Sequence, residues 1–231
     1  SSRPPAPHAP ATIPPSAQTP TQPSLWIAQN LGFTPDATQA QILDHHGLRK
    51  MLCLPRQWGK STLAAAKAYH TAATQPGALI IVGAPTERQS GELVNKVRAF
   101  AHFHGAKTKS DRAARQSLVL ENGSRVIGLP ESPATVRGYS NVALLIIDEA
   151  AYVSDAYIQS LRGFLCKSNG ALWYLSTAGA RKGYFYEHFH NSDLDYARFK
   201  VSAEDCPRIP KAFLAEERKP IPEADFCRDY P

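Results

Sequence analysis

The sequence predicts a three-layer α/β domain built on a mainly parallel sheet, with a β-hairpin set into it. Three observations carry this. Short apolar runs alternate with helix-like stretches, polar residues follow the carboxyl ends of those runs, and an Asn-Gly pair separates two strand-like segments. At 231 residues the chain is long enough for one domain with a sizeable core.

Residues 1–23, SSRPPAPHAPATIPPSAQTPTQP, offer little to bury and predict a flexible proline-rich tail. Such a tail is either passive or a ligand for a proline-reading domain. Residues 24–231 are expected to form the folded domain. Within it, residues 36–46 predict a short helix and residues 48–54 (LRKMLCL) a strand that runs into the loop PRQWGKST. The alanine-rich stretch 60–73 predicts a helix, because alanine has the best helix propensity. A buried strand over 78–84 and a longer helix over 87–103 follow. Residues 117–129 (SLVLENGSRVIGL) predict a hairpin, with Asn122-Gly123 supplying the two positive φ angles of a type I′ turn. The strand 143–147 (ALLII) is closed by Asp148 and Glu149. A helix over 155–165 precedes the strand 171–176, which ends in Thr177-Ala178-Gly179. Residues 198–231 have a mixed pattern, and no internal repeat is present.

No apolar run approaches the roughly 18 residues of a membrane span, so no membrane partner is expected. The amino-terminal stretch lacks the apolar region of a secretory signal. A formal charge of +6 suits a polyanionic partner, although basic domains without one are common. The four cysteines lack the spacing of a zinc site or a disulfide framework, which points to a reducing, intracellular setting. Cys53 lies in an apolar stretch and reads as a core residue. His45, His46, His102 and His104 show no metal-ligand spacing and read as structural.

Pro55-Arg56-Gln57-Trp58-Gly59-Lys60-Ser61-Thr62 lies between an apolar strand and a helix, the context of a phosphate-binding loop. Backbone N–H groups there converge on one spot, and the helix N-terminus favours negative charge. Lys60 is placed for the β and γ phosphates of ATP, and the Ser61 hydroxyl for Mg²⁺. The usual pattern has glycine five residues before Gly59, where this chain has Leu54. Arg56 adds a second cation within reach of the γ-phosphate. A solvated basic turn is the bland reading of the same loop.

Four apolar residues followed by Asp148 and Glu149 have the form of a Walker B strand. Adjacent acids at a buried strand end repel and cost desolvation, which a nearby Mg²⁺ offsets. Asp148 is then the metal-side carboxylate and Glu149 the general base for the attacking water. A helix N-terminal acid pair is the plainer alternative. Ser176-Thr177-Ala178, at the next strand end, are placed to sense the γ-phosphate, though strand ends often carry such residues. Gln39 is placed to read an adenine edge, or is a surface glutamine. Arg137, in the loop before Gly138, suits stabilisation of a phosphoryl transition state, a DNA phosphate contact, or plain solvation. Arg181-Lys182-Gly183-Tyr184-Phe185-Tyr186 either touches a nucleic-acid backbone or begins an amphipathic helix with its aromatics inward.

Taken in order, Gln39 in PDATQAQIL, PRQWGKST, TVRGYSNVALLIIDEAAYVSD and LSTAGARKGYFYEHF resemble the ATPase domain of phage terminase large subunits. The likeness spans residues 35–230, and the closing FCRDYP resembles the end of that motor domain. It implies an additional-strand RecA-like P-loop fold, ATP-driven translocation of double-stranded DNA into a procapsid, and work in the host cell cytoplasm. It further implies a homo-oligomeric ring, a pentamer in its suggested form, with a portal protein and a small terminase subunit as partners. By family position Arg56 is the loop arginine, Ser176-Thr177-Ala178 the coupling motif, and Arg137 a finger acting on the neighbouring subunit. Complete large subunits carry a nuclease domain after the motor, for which this chain leaves no room, so ATPase without DNA cleavage is expected. Two alternatives stand beside this: a helicase-like remodelling ATPase, and a nucleotide-binding assembly module without turnover.

Overall fold

The computed structural model describes residues 22–109, 116–132, 138–206, 209–220 and 222. Eight strands form one sheet in the order β3-β4-β5-β2-β6-β7-β1-β8. They are β1 (Arg49–Cys53), β2 (Leu79–Ala84), β3 (Thr108–Lys109), β4 (Ser117–Leu120), β5 (Arg125–Pro130), β6 (Val142–Asp148), β7 (Ala171–Ser176) and β8 (Ala197–Lys200). From β5 to β8 every pairing is parallel. The helices are α1 (Pro23–Asn30), α2 (Ala37–Asp44), α3 (Lys60–Thr74), α4 (Glu87–Phe103), α5 (Asp155–Arg162), α6 (Gly183–His190) and α7 (Lys211–Glu217).

The central strands are apolar on both faces because helices cover both. Leu144 and Ile146 of β6, Leu52 of β1 and Trp173 of β7 join one core with residues of α1 to α4. Leu145, Ile147, Met51 and Tyr174 point the other way and meet α5 and α6. Alternation by single residues therefore divides one set of strands between two cores. The loop strand β1 and the acidic strand β6 are not neighbours, since β7 lies between them. That is the additional-strand arrangement.

The predicted hairpin forms, but its turn differs. Gly123 has φ +86°, whereas Asn122 is not among the positive-φ residues. Gly123 N–H donates to the Leu120 carbonyl (3.0 Å) and Leu120 N–H to the Ser124 carbonyl (2.9 Å), which encloses a three-residue loop. One left-handed residue suffices for that loop, and only glycine supplies it without strain. Asn122 instead anchors the turn, its amide donating to the Ala72 carbonyl at the end of α3 (2.8 Å). The hairpin is also more than an insertion, because β5 pairs in parallel with β2 and extends the main sheet.

α1 begins at Pro23, the last residue that the sequence assigns to the tail, and runs into residues 24–35, to which the periodicity assigns no element; proline suits the first helical turn, where its missing N–H costs nothing. Trp26 packs edge-on to His70 (5.1 Å) and His104 (5.4 Å), and Tyr69 hydroxyl pairs with His104 Nδ1 (2.8 Å). His104, read as structural from the sequence, thus packs with His70 against Trp26. Lys50 is a buried lysine on β1, held at about pKa 7 by burial. Its ammonium donates to the Ile42 (2.8 Å) and His45 (2.7 Å) carbonyls, which stitches the end of α2 to the sheet.

β7 is located by the turn that precedes it. Ser168 hydroxyl donates to the Val142 carbonyl (2.7 Å), and Arg49 donates to the Gly170 carbonyl. A Cβ on Gly170 would lie 2.0 Å from the Val142 carbonyl oxygen. Gly170→Ala is therefore expected to destabilise the domain by about 2 kcal/mol or more, since backbone has to move to make room. Urea unfolding checks this, and a midpoint within error of the parent would show that the β6–β7 entry is not close-packed.

Candidate nucleotide site

The carboxyl ends of the parallel strands meet one cleft of about 590 Å³. Arg56, Gln57, Gly59, Lys60 and Ser61 line it from the loop, and Glu149 and Thr177 from the ends of β6 and β7. The sequence expectation that these segments share one sheet edge is met in three dimensions.

The loop reaches its shape without the usual first glycine. Leu54 is fully buried, and its N–H donates to the Ser176 carbonyl (2.9 Å), so strand pairing continues one residue beyond β1. The reversal is made by Gln57 (φ +60°) and Gly59 (φ +97°), both left-handed. Trp58, between them, is buried in the core, so only its backbone belongs to the loop. Lys60 is 8% exposed, and its ammonium donates to the Leu54 (3.3 Å) and Pro55 (3.2 Å) carbonyls. Burial lowers its pKa, while Glu149 and Asp148 pull it back up. Thr62, in the first turn of α3, is partly buried and does not line the cleft.

Asp148 closes β6 beneath the cleft at 7% exposure. Burial, then the neighbouring Glu149, raise its carboxyl to about pKa 6, against the opposing pull of Lys60. Glu149 N–H donates to Asp148 Oδ1 (3.1 Å). Glu149 itself adopts φ +51°, a left-handed conformation uncommon for a side chain of this kind. The turn is held by Ala150 N–H to the Leu175 carbonyl (2.9 Å) and Tyr152 N–H to the Glu149 carbonyl (2.8 Å). The chain thus leaves the strand abruptly, with Glu149 on the cleft wall and Asp148 below it.

Ser176 and Thr177 are buried and join both sides. Ser176 accepts from Leu54 N–H through its carbonyl and from Ala151 N–H through its hydroxyl (3.2 Å). Thr177 hydroxyl pairs with Tyr152 hydroxyl (3.1 Å). Ala178 packs on the lower core and does not line the cleft.

Gln39 is not a surface residue. It is 2% exposed and completes a capping box at the start of α2, its Oε1 accepting from Asp36 N–H (3.1 Å). Its Nε2 lies 3.4 Å from where a Gly59 Cβ would be, so it sits directly against the loop. Of the alternatives for residues 181–186, the amphipathic helix holds for the aromatics: Tyr184 and Phe185 are buried, while Arg181 and Lys182 are exposed. Arg137, along with the FCRDYP segment and most of the proline-rich tail, lies outside the described residues.

Sequence reasoning missed four cleft residues, Pro85, Gln89, Lys96 and Tyr152. The first three follow β2, whose end opens on the same edge because β2 pairs with β6. The available signal was the strand end itself, but strand order was needed to use it. Among the described residues no group of three or more His, Cys, Asp or Glu could hold a metal, and no helix is long and apolar enough to cross a membrane. Cys53 and Cys206 are buried free thiols.

The family model for the helicase domain of the RNA cytidine acetyltransferases NAT10/TcmA matches residues 52–184, more than half of the chain. Curated relatives include the terminase large subunits of Thermus virus P23-45 and Thermus phage G20c, each 24% identical over 90% of this chain and 50% of their own length. The chain therefore spans about half the length of the curated relatives it matches. Among solved structures, the large terminase ATPase domain of Thermus phage P74-26 superposes with a TM-score of 0.77 at 23% identity, covering 90% of this chain and 97% of that one. The large terminase of another thermophilic bacteriophage, in complex with ADP, gives 0.70 at 12% identity, covering 84% and 52%. The chain belongs to the family that the NAT10/TcmA helicase-domain model describes, and it is similar to phage terminase large subunits and in fold to a large terminase ATPase domain.

Proposed function

We propose that this chain is the ATP-hydrolysing motor domain of a terminase large subunit, powering translocation of double-stranded DNA into a procapsid. One observation carries the reading most: Lys60 and Ser61 at the start of α3 face Glu149 across a single cleft, with Asp148 beneath it. The relatives named terminase large subunits, and the fold shared with their ATPase domains, support the packaging role. Portal protein and small terminase subunit as partners, a homo-oligomeric ring and a host-cell setting belong to the same proposal.

The donors suit Mg²⁺. It takes hard oxygen ligands, commonly one or two carboxylates beside substrate phosphates and water, which Ser61 hydroxyl and the Asp148 carboxylate supply. Asp148, its carboxyl raised by burial, regains its charge beside a cation. Bound there, Mg²⁺ would neutralise charge on the β and γ phosphates. The loop amides and Lys60 hold the phosphates, and Arg56 adds a cation at the loop. Glu149 orients a water molecule whose oxygen forms the new bond to the γ-phosphorus, and receives its proton. The bond to the bridging oxygen breaks, and ADP carries the electron pair away. Ser176 and Thr177, bonded to both the loop strand and the Glu149 turn, transmit the change. Gln39 braces the loop from α2. Arg137 as a finger acting on a neighbour rests on the family resemblance.

The helicase-domain match over residues 52–184 favours a second reading, an ATPase that remodels nucleic acid by separating strands. Displacement of a triplex strand without unwinding of a duplex supports translocation; ATP-dependent unwinding supports the second reading.

Glu149→Gln is expected to lower ATP hydrolysis by about two to four orders of magnitude with ATP binding retained. Turnover near that of the parent would remove Glu149 from the chemistry. Arg137→Ala is expected to abolish hydrolysis, and mixing it with Glu149→Gln protein in assembled rings to restore part of it; no recovery in verified rings counts against action in trans.

Asp148→Asn separates burial from function. A carboxyl with its folded pKa raised from 3.8 to about 6 holds its proton more tightly when folded, so its contribution to stability falls as pH rises through that window. The variant is expected to be more stable than the parent near pH 7 without Mg²⁺, by on the order of 2–3 kcal/mol, with the gain fading below about pH 4. Denaturant melts across that range test this, and a pH-independent difference would show that the carboxyl bears no such cost.

A further inference from the structure

The α4 side of the cleft has no part in the mechanism above, yet Gln89 and Lys96 both line it. They stand seven residues apart, about two turns, and so share one face of α4. Helical side chains lean toward the helix N-terminus. In α4 that end follows β2, at the sheet edge where the cleft opens. The long side chain of Lys96 thus reaches back toward the strand ends.

A second observation locates its charge. Lys96 shares the cleft with a second lysine, Lys60, beside Ser61 and Glu149. The two arise from different helices, Lys60 from the start of α3 and Lys96 from the middle of α4. β2 adjoins β6 on the side away from β7 and β1. A phosphate chain gathered by the loop after β1 and extending toward Glu149 therefore presents its far end to α4. The group at that end is the terminal phosphate.

We propose that Lys96 contacts the terminal phosphate of a bound nucleoside triphosphate from the side opposite the phosphate loop, so that α4 distinguishes triphosphate from diphosphate. The inference rests on the nucleotide reading given above and adds a substrate-contacting residue to it. Lys96 is exposed on α4, so its replacement leaves the core intact.

Calorimetric titration of the parent chain, Lys96→Ala and Lys96→Arg with ATPγS and with ADP, both with Mg²⁺, tests it. Lys107→Ala, just past the opposite end of α4, controls for the loss of one positive charge. The parent is expected to bind both nucleotides. Lys96→Ala should weaken ATPγS by about tenfold to a hundredfold, the range for one hydrogen bond to a charged group. ADP should stay within about twofold, Lys96→Arg should keep most of the ATPγS affinity, and Lys107→Ala should match the parent. Equal weakening of both nucleotides, unchanged ATPγS binding, or the same loss in Lys107→Ala would overturn the proposal. If the parent binds neither nucleotide, the nucleotide reading falls and this inference with it; selective failure in the Lys96 variants alone cannot be mistaken for that.

Discussion

The carboxyl end of β7 is the joint on which the candidate site depends. Its last residues bond in both directions: Ser176 carbonyl receives Leu54 N–H from the loop strand, and Leu175 carbonyl receives Ala150 N–H from the acidic turn. Ser176 hydroxyl adds a third bond, to Ala151 N–H. These are main-chain ties in a nearly water-free interior, where an unmade bond is costly. A displacement of either side is therefore felt at the other, as the coupling role proposed for this strand end requires. The turn at residues 168–170, pressed against the start of β6, sets the depth at which β7 enters.

Around that joint the chain concentrates unfavourable choices. Asp148 is a buried acid next to another acid, Lys60 is a buried amine, and Glu149 and Gln57 adopt left-handed conformations. Each costs stability locally, and the two apolar cores on either side of the sheet offset the sum. Gln57 and Glu149 are the left-handed residues other than asparagine and glycine among those described, and their gathering at one sheet edge with buried Asp148 and Lys60 fits a place selected for chemistry rather than for stability.

Much of this is legible in the sequence because the relevant signals are local. Short, mostly apolar segments bounded by polar residues locate β1, β2, β6 and β7, and the alanine-rich stretch locates α3. What the sequence misleads on depends on distant groups. The Asn-Gly pattern gives Asn122 a positive φ, but its side chain is drawn to the Ala72 carbonyl fifty residues away, and a three-residue loop satisfies both demands. Of the two readings of Gln39, surface residue and adenine reader, the first falls because α2 packs it against the phosphate loop at Gly59. α1 escapes the periodicity because its apolar face is short, and its place is decided by Trp26 packing on α3.

By itself the sequence determined which residues bear charge and hydroxyl groups at the ends of buried strands, because burial, helix propensity and turn chemistry act over a few neighbours. Only the tertiary structure decided the strand order. That order inserts β7 between the loop strand and the acidic strand, lets Leu54 replace a glycine by continuing the strand pairing, and brings the β2–α4 segment with Lys96 to the cleft. Pairing of strands far apart in the chain follows from the packing of the whole sheet, and no local pattern encodes it.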